Sequence, residues 1–207
     1  MFRVFSKPLR ISSNQQILYK TIIHLVSAGY LAVMFYFAVT DNLGADPVES
    51  LLHFTGTGAV NLLLLTLLVS PAAKLLPCGA LINFRRLVGL YAFFYALTHF
   101  VTYILFELQL NFSLLGEEIV KRPYITVGFV ALLLLISMAA TSTRSIQRKM
   151  GKKWQSLHNS IYLAAILAIL HFTWAQKTLG AEPLVYWGLL FILLLPRFSR
   201  VKRAIGR

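Results

Sequence analysis

The stretch NFRRLVGLYAFFYALTHFVTY, residues 83–103, decides the class of this chain. Two arginines open it, and from Leu87 to Tyr103 there is no Asp, Glu, Lys or Arg. A helix crossing a hydrocarbon core of about 30 Å needs about 20 mainly apolar residues, and the apolar run at 87–106 meets that length. Working outward, comparable runs occur at 17–39, 51–70, 124–141, 156–175 and, shorter, at 184–196. The breaks between them are DNLGADPVES, SPAAKLLPCGALINFRR, ELQLNFSLLGEEIVKRP, TSTRSIQRKMGKKW and QKTLGAEP, each read as a loop or interfacial turn. The sequence therefore predicts an all-α, polytopic membrane bundle of about six transmembrane helices, with 1–207 as a single transmembrane domain. Composition agrees. Hydrophobic residues make up 57% and the mean hydropathy is +0.70 over 207 residues, more apolar surface than a soluble domain of this size can hide. The first run is expected to be a retained anchor, because it is long and no small-residue cleavage site follows before Asp41.

Charge predicts the orientation, because short loops rich in Lys and Arg stay cytoplasmic during insertion. Alternate segments carry Arg3, Lys7, Arg10 and Lys20; then Lys74, Arg85 and Arg86; then Arg144, Arg148, Lys149, Lys152 and Lys153; then Arg197, Arg200, Lys202, Arg203 and Arg207. That is 17 of the 20 basic residues on one side, against Lys121, Arg122 and Lys177 on the other. All seven acidic residues, among them Glu107, Glu117, Glu118 and Glu182, fall in or beside the opposite loops. Both termini are expected in the cytoplasm. The net charge of +13 is thus mostly topological, and no nucleic-acid motif accompanies it. A single cysteine, Cys78, cannot form an intramolecular disulfide.

Polar groups at membrane depth persist mainly where they bind or conduct something, and here they are histidines. His99 is expected near the middle of the third span, His171 in the outer part of the fifth, and His53 at the outer start of the second. His24 and His158 fall toward the inner ends of the first and fifth. A lone intramembrane histidine commonly bonds one helix to another. His99 and His171 form a pair, both expected in the outer half on spans that a bundle can bring face to face. Two neutral imidazoles holding an iron axially, with a flat apolar macrocycle between helices, is the arrangement of a b-type haem. Structural zinc wants four ligands, and a catalytic zinc on His53, His99 and His171 lacks a nearby carboxylate base. His158 lies 13 residues before His171, about 20 Å along a helix axis but roughly 140° around it. A straight helix does not aim both into one channel, so His158 requires a kink or sits at the interface.

Several segments in order, LGADPVESLLHFTG (43–56), NFRRLVGLYAFFYALTHFVTY (83–103), LLGEEIVKRPYITVG (114–128), TSTRSIQRKMGKKWQSLHNSIYL (141–163) and HFTWAQK (171–177), resemble the MsrQ (YedZ) family. That resemblance implies a ferric-reductase-like transmembrane domain in a bacterial inner membrane. It implies a haem-binding, electron-transferring subunit rather than a catalytic one, partnered with the periplasmic molybdopterin methionine sulfoxide reductase MsrP in the repair of oxidised proteins. Electrons are implied to come from membrane quinol, or else from a cytosolic flavin reductase, with FMN as a further cofactor. Carried over by motif, the haem-associated histidines are His99, His158 and His171. A ferric reductase or cytochrome b561-like carrier with another acceptor is the alternative. In larger ferric reductases and NADPH oxidases the third and fifth spans each carry two histidines. Here the position 14 residues before His99 is Arg85, which cannot ligate iron, so one haem b is expected. Arg85 and Arg86 either bind the phosphate of FMN, which suits guanidinium forks, or serve only as positive-inside anchors.

Overall fold

A computed structural model describes residues 9–176 and 180–205, with the side chains of 196–205 excepted. Arg3, Lys7, Lys177 and Arg207 lie outside the described residues, as do the side chains of Arg197, Arg200, Lys202 and Arg203. Helices account for nearly all of what is described, and no strand occurs there.

Several helices start on a recognisable signal. In α1 (Ser13–Val39), Ser12 and Gln15 form a reciprocal capping box. In α2 (Pro47–Leu75), the Asp46 side chain accepts from the Glu49 amide and Pro47 occupies the first turn. A 3₁₀ turn (Gly79–Leu81) leads into α3 (Ile82–Thr102), which widens into a π-helical turn at Tyr103–Glu107. The short α4 (Phe112–Lys121) is capped by Asn111, and α5 (Pro123–Ala140) opens on a proline. Two further short helices, α6 (Arg144–Met150) and α7 (Lys152–His158), are separated by Gly151 at φ 52°. After a two-residue break come α8 (Ile161–Ala175) and then α9 (Ala181–Ile205).

Five segments are long and apolar enough to cross a membrane: Ser13–Val39, Pro47–Leu75, Gly79–Glu107, Pro123–Ala140 and Lys152–Ala175, with a shorter apolar helix at Ala181–Leu195. The chain is a polytopic membrane protein. Two segments read as loops contain helix. ELQLNFSLLGEEIVKRP holds α4, and TSTRSIQRKMGKKW holds α6 and the start of α7.

The bundle is built on two antiparallel pairs, α2 against α3 and α5 against α8, which are its most extensive helix contacts. Val60, Leu63, Leu64 and Leu67 of α2 meet Ala92 of α3, Leu135 and Met138 of α5, Ala164, Ala165 and Ile169 of α8, and Leu190 of α9 in one core cluster. The buried alanines let backbones approach closely, which is how helices pack without a hydrophobic drive between them. α1 is peripheral and only a small part of it is buried. Among its polar ties to α3 is the Tyr95 hydroxyl, which donates to the Ser27 carbonyl at 2.8 Å.

Antiparallel pairing brings four helix ends to one level. The first turns of α2 and α5 meet the last turns of α3 and α8, and the two membrane histidines stand there.

Candidate functional site

His99 lies in the last turn of α3 and His171 near the end of α8. The structure brings their rings to a centroid separation of 6.1 Å with the planes 76° apart. Each ring is held by the same device. His99 Nδ1 lies 3.0 Å from the carbonyl oxygen of Leu52 on α2, and His171 Nδ1 lies 2.7 Å from that of Tyr124 on α5. A carbonyl can only accept, so both Nδ1 atoms carry the proton and each neutral ring keeps its lone pair on Nε2. Thr55 adds a second acceptor for His99: its hydroxyl donates to the Leu51 carbonyl at 2.7 Å, leaving its oxygen 3.3 Å from Nδ1. The Tyr124 ring lies nearly parallel to His171 at 6.1 Å.

A helical carbonyl is normally screened by the side chain four residues on, because Cα–Cβ bonds tilt toward the helix N-terminus. Four residues beyond Leu52 is Gly56, and four beyond Tyr124 is Gly128. A Cβ at Gly56 would sit 3.2 Å from His99 Cε1 and Nδ1. One at Gly128 would sit 2.7 Å from His171 Nδ1 and 2.9 Å from its Cγ. The two glycines are the openings through which the rings reach the main chain.

This donor set fits the haem expected from the sequence. A metal–imidazole bond is about 2.0 Å and a ring centre lies about 1 Å beyond the nitrogen, so two imidazoles on opposite sides of one metal have centroids about 6 Å apart. A ligating histidine is usually oriented by a hydrogen bond from its other ring nitrogen to a carbonyl or carboxylate. Zinc fits less well, since among the described residues no three His, Cys, Asp or Glu side chains are grouped to hold a metal ion. His53 lies on an exposed face of α2 and does not join the pair.

His158 stands apart. Its Nε2 is 3.0 Å from the Thr141 hydroxyl, and its ring stacks on Trp154 at 3.9 Å. Trp154 in turn donates from Nε1 to the Thr141 carbonyl at 2.9 Å. α7 ends at His158, and Asn159 and Ser160 interrupt the helix before α8. Arg85 is close enough to His158 to act on it electrostatically, whereas Arg86 is exposed.

His24 is the twelfth residue of the 27 in α1, so it stands nearer mid-helix than the inner end. Its Nδ1 is 2.7 Å from the Tyr91 hydroxyl of α3. At the level of the His99–His171 pair, α4 carries a polar network. The Arg122 guanidinium pairs with Glu118 at 2.8 Å and donates to the Tyr124 hydroxyl at 3.1 Å, while the Tyr103 hydroxyl donates to Glu118 at 3.2 Å. These bonds, Tyr124 first, hold the Arg122 guanidinium still more firmly in its charged form.

Sequence reasoning found His99 and His171 and missed what orients them. Leu52 and Tyr124 act through main-chain atoms, which no side-chain pattern reveals. Gly56 and Gly128 did carry a signal, since a glycine inside an apolar helix marks a close approach.

Residues 55–169 match the family described as ferric reductase like transmembrane component, which begins at Thr55 and stops two residues short of His171. The chain is 42% identical over 196 residues to a Salmonella arizonae protein named "Protein-methionine-sulfoxide reductase heme-binding subunit MsrQ", covering 94% of this chain and 98% of that one. A Salmonella enteritidis protein of the same name is 42% identical over 198 residues, again covering 94% and 98%.

Proposed function

The chain belongs to the MsrQ family of haem-binding subunits, and from that premise we propose that it binds haem b between His99 and His171 and relays electrons across a bacterial inner membrane. The observation that carries this is the 6.1 Å pair with both Nδ1–H groups turned to main-chain carbonyls. Bound haem supplies a one-electron relay whose potential is set by its axial ligands and its burial. The protein's own work is positional. α3 and α8 hold the two imidazoles at one depth; Leu52, Thr55 and Tyr124 fix the tautomer that presents Nε2; Gly56 and Gly128 admit the rings.

The positive-inside asymmetry supports placing both termini in the cytoplasm, which puts the His99–His171 level on the periplasmic side. That is the side from which a molybdopterin methionine sulfoxide reductase of the MsrP kind, reducing oxidised periplasmic proteins, takes its electrons. α4 with Glu117, Glu118 and Arg122 faces the same side. The donor is membrane quinol, with a cytosolic flavin reductase as the second candidate. At the inner level, Arg85 and Arg86 supply guanidinium groups for the phosphate of FMN, and His158, which the family resemblance associates with haem, stands there on Thr141 and Trp154 rather than with the His99–His171 pair. The single domain spans 1–207.

The test is the visible spectrum and pyridine-haemochrome content of purified protein, wild type beside His99→Ala and His171→Ala, before and after reduction. A reducible low-spin b-type spectrum, lost in both variants, is expected. A wild-type protein that stays colourless when produced with ample haem refutes the proposal and returns both histidines to helix packing.

A further inference from the structure

The two histidines belong to different helix pairs, His99 to α2–α3 and His171 to α5–α8, and each ring has its own acceptor. A fixed angle between the rings therefore needs the two pairs held in register. α4 spans them at the outer level. Tyr103 stands one turn beyond His99 on α3, and its amide donates to the His99 carbonyl. Its hydroxyl donates to Glu118 Oε2 at 3.2 Å, and the same oxygen accepts from Arg122 Nε at 2.8 Å. Arg122 closes the chain by donating from Nη1 to the Tyr124 hydroxyl at 3.1 Å. Tyr124 is the residue whose carbonyl accepts from His171. One run of hydrogen bonds thus joins α3, α4 and α5 and ends beside both rings.

Three observations separate this run from ordinary surface charge. An exposed ion pair along one helix contributes little by itself, and Lys121–Glu117, one residue away, is such a pair, its side chains 69% and 51% exposed. Glu118 is only 14% exposed, and its pair continues into phenols on two other helices. The turn that carries α4 back over Tyr103 is strained. Just after the π turn, Gln109 and Leu110 both take left-handed backbone, at φ 49° and 63°, which such residues keep only where the surroundings over-determine it. Tyr124 is the second residue of α5, in a first turn of the kind that frays, so a fixed place for its carbonyl depends on ties outside its own helix.

We propose that Tyr103, Glu118, Arg122 and Tyr124 form a strap of positioning residues that sets the angle between the two imidazole planes, 76° in this structure. The strap acts on the rings through the ends of α3 and α5. The proposal rests on the haem reading above, and it assigns α4 a part in the geometry of the ligands. Near-perpendicular axial imidazoles give low-spin ferric haem a large-gmax EPR signal, whereas parallel planes give a rhombic one, so the angle itself is measurable.

The experiment is low-temperature EPR and haem titration of the purified full chain in nanodiscs. Wild type is expected to give one sharp large-gmax signal. Glu118→Ala and Arg122→Ala should spread it over a range of lower gmax values and weaken haem binding about threefold to tenfold, the worth of roughly one hydrogen bond. Glu118→Gln keeps a single oxygen for both donors and should retain the wild-type signal. Glu117→Ala, which removes the same charge one residue away, should also leave it unchanged. A rhombic wild-type signal overturns the strap, as does a wild-type signal in both Glu118→Ala and Arg122→Ala. Glu118→Gln behaving as Glu118→Ala, or Glu117→Ala shifting the signal as far, marks an effect of charge alone and overturns it too. Should Glu118→Ala fail to fold, Tyr103→Phe, which removes only a hydroxyl, decides together with Arg122→Ala. A colourless wild type rejects the haem reading and the strap with it, whereas a coloured one with indifferent variants rejects the strap alone.

Discussion

Replacing Gly128 with alanine is the sharpest perturbation of the histidine pair that leaves both histidines in place. The new Cβ would stand 2.7 Å from His171 Nδ1 and 2.9 Å from Cγ, where ordinary contact begins at 3.4 Å. The ring must therefore retreat by about 0.7 Å, which carries Nδ1 beyond normal hydrogen-bond distance of the Tyr124 carbonyl. Loss of that bond costs about 1 kcal/mol directly. Because it also frees the tautomer and the ring orientation, the larger effect is on the metal, where loss of the bond that orients a ligand typically costs about 10–100-fold in affinity. Gly56→Ala is milder, since its Cβ would meet His99 at 3.2 Å and the ring need yield only about 0.2 Å, and a fall of about threefold is expected. Gly29→Ala, with nothing within 4 Å of its Cβ, is the neutral control. The assay is haem titration of apoprotein in nanodiscs, read at the Soret band and checked by pyridine haemochrome. The expected order of affinity is Gly29→Ala equal to wild type, then Gly56→Ala, then Gly128→Ala. Gly128→Ala binding haem as tightly as Gly29→Ala would falsify the reasoning that these glycines serve the rings.

His53→Ala should keep a wild-type visible spectrum, since His53 stands exposed on α2; loss of colour there would move the ligand set. His158→Ala should leave the bis-imidazole signal intact at about one haem per chain, read by low-temperature EPR and pyridine haemochrome. Loss of that signal refutes the His99–His171 assignment, and loss of a second haem would make the His158–Thr141 corner an inner centre. Gly58→Ala should loosen α1, because its Cβ would stand 2.6 Å from the Tyr95 ring that reaches Ser27. A fall of about 1–3 kcal/mol is expected from overpacking, visible as a lower Tm and as faster proteolysis within α1.

The spans were legible because the bilayer imposes a length, and mainly apolar runs of that length at 17–39, 51–70, 87–106, 124–141 and 156–175, charged only at Lys20, leave few alternatives. α4 escaped because ten residues carrying Glu117, Glu118 and Lys121 fall below that length, although Asn111 gave a helix start. α6 was hidden in a basic stretch whose cap, Thr143, looked like any loop threonine. The histidine pair was readable because burying an imidazole in lipid needs a reason. Its acceptors were not, since a main-chain carbonyl is present at every position and only the fold selects Leu52 and Tyr124. Helix angles left His158 with either a kink or an interfacial position, while the Thr141 hydroxyl and the Trp154 stack depend on how α5 meets α7, a contact between distant parts of the chain.

Because the acceptors that orient His99 and His171 belong to the backbone, the arrangement responds to mutation in an unusual way. Any side chain at 52 leaves the oxygen in place, so scanning that position should return little, however important the bond, whereas at 124 a substitution would report the ring beside His171 and the hydroxyl bonded by Arg122 rather than the carbonyl. A single inserted or deleted residue in the first turns of α2 or α5 would turn the oxygen about 100° around its helix and remove it altogether. The orientation of the two imidazoles therefore depends on keeping Gly56 and Gly128 free of a side chain and on chain length, and indels in the first turns of α2 or α5, rather than substitutions of the acceptor residues, are the changes that would remove the acceptors.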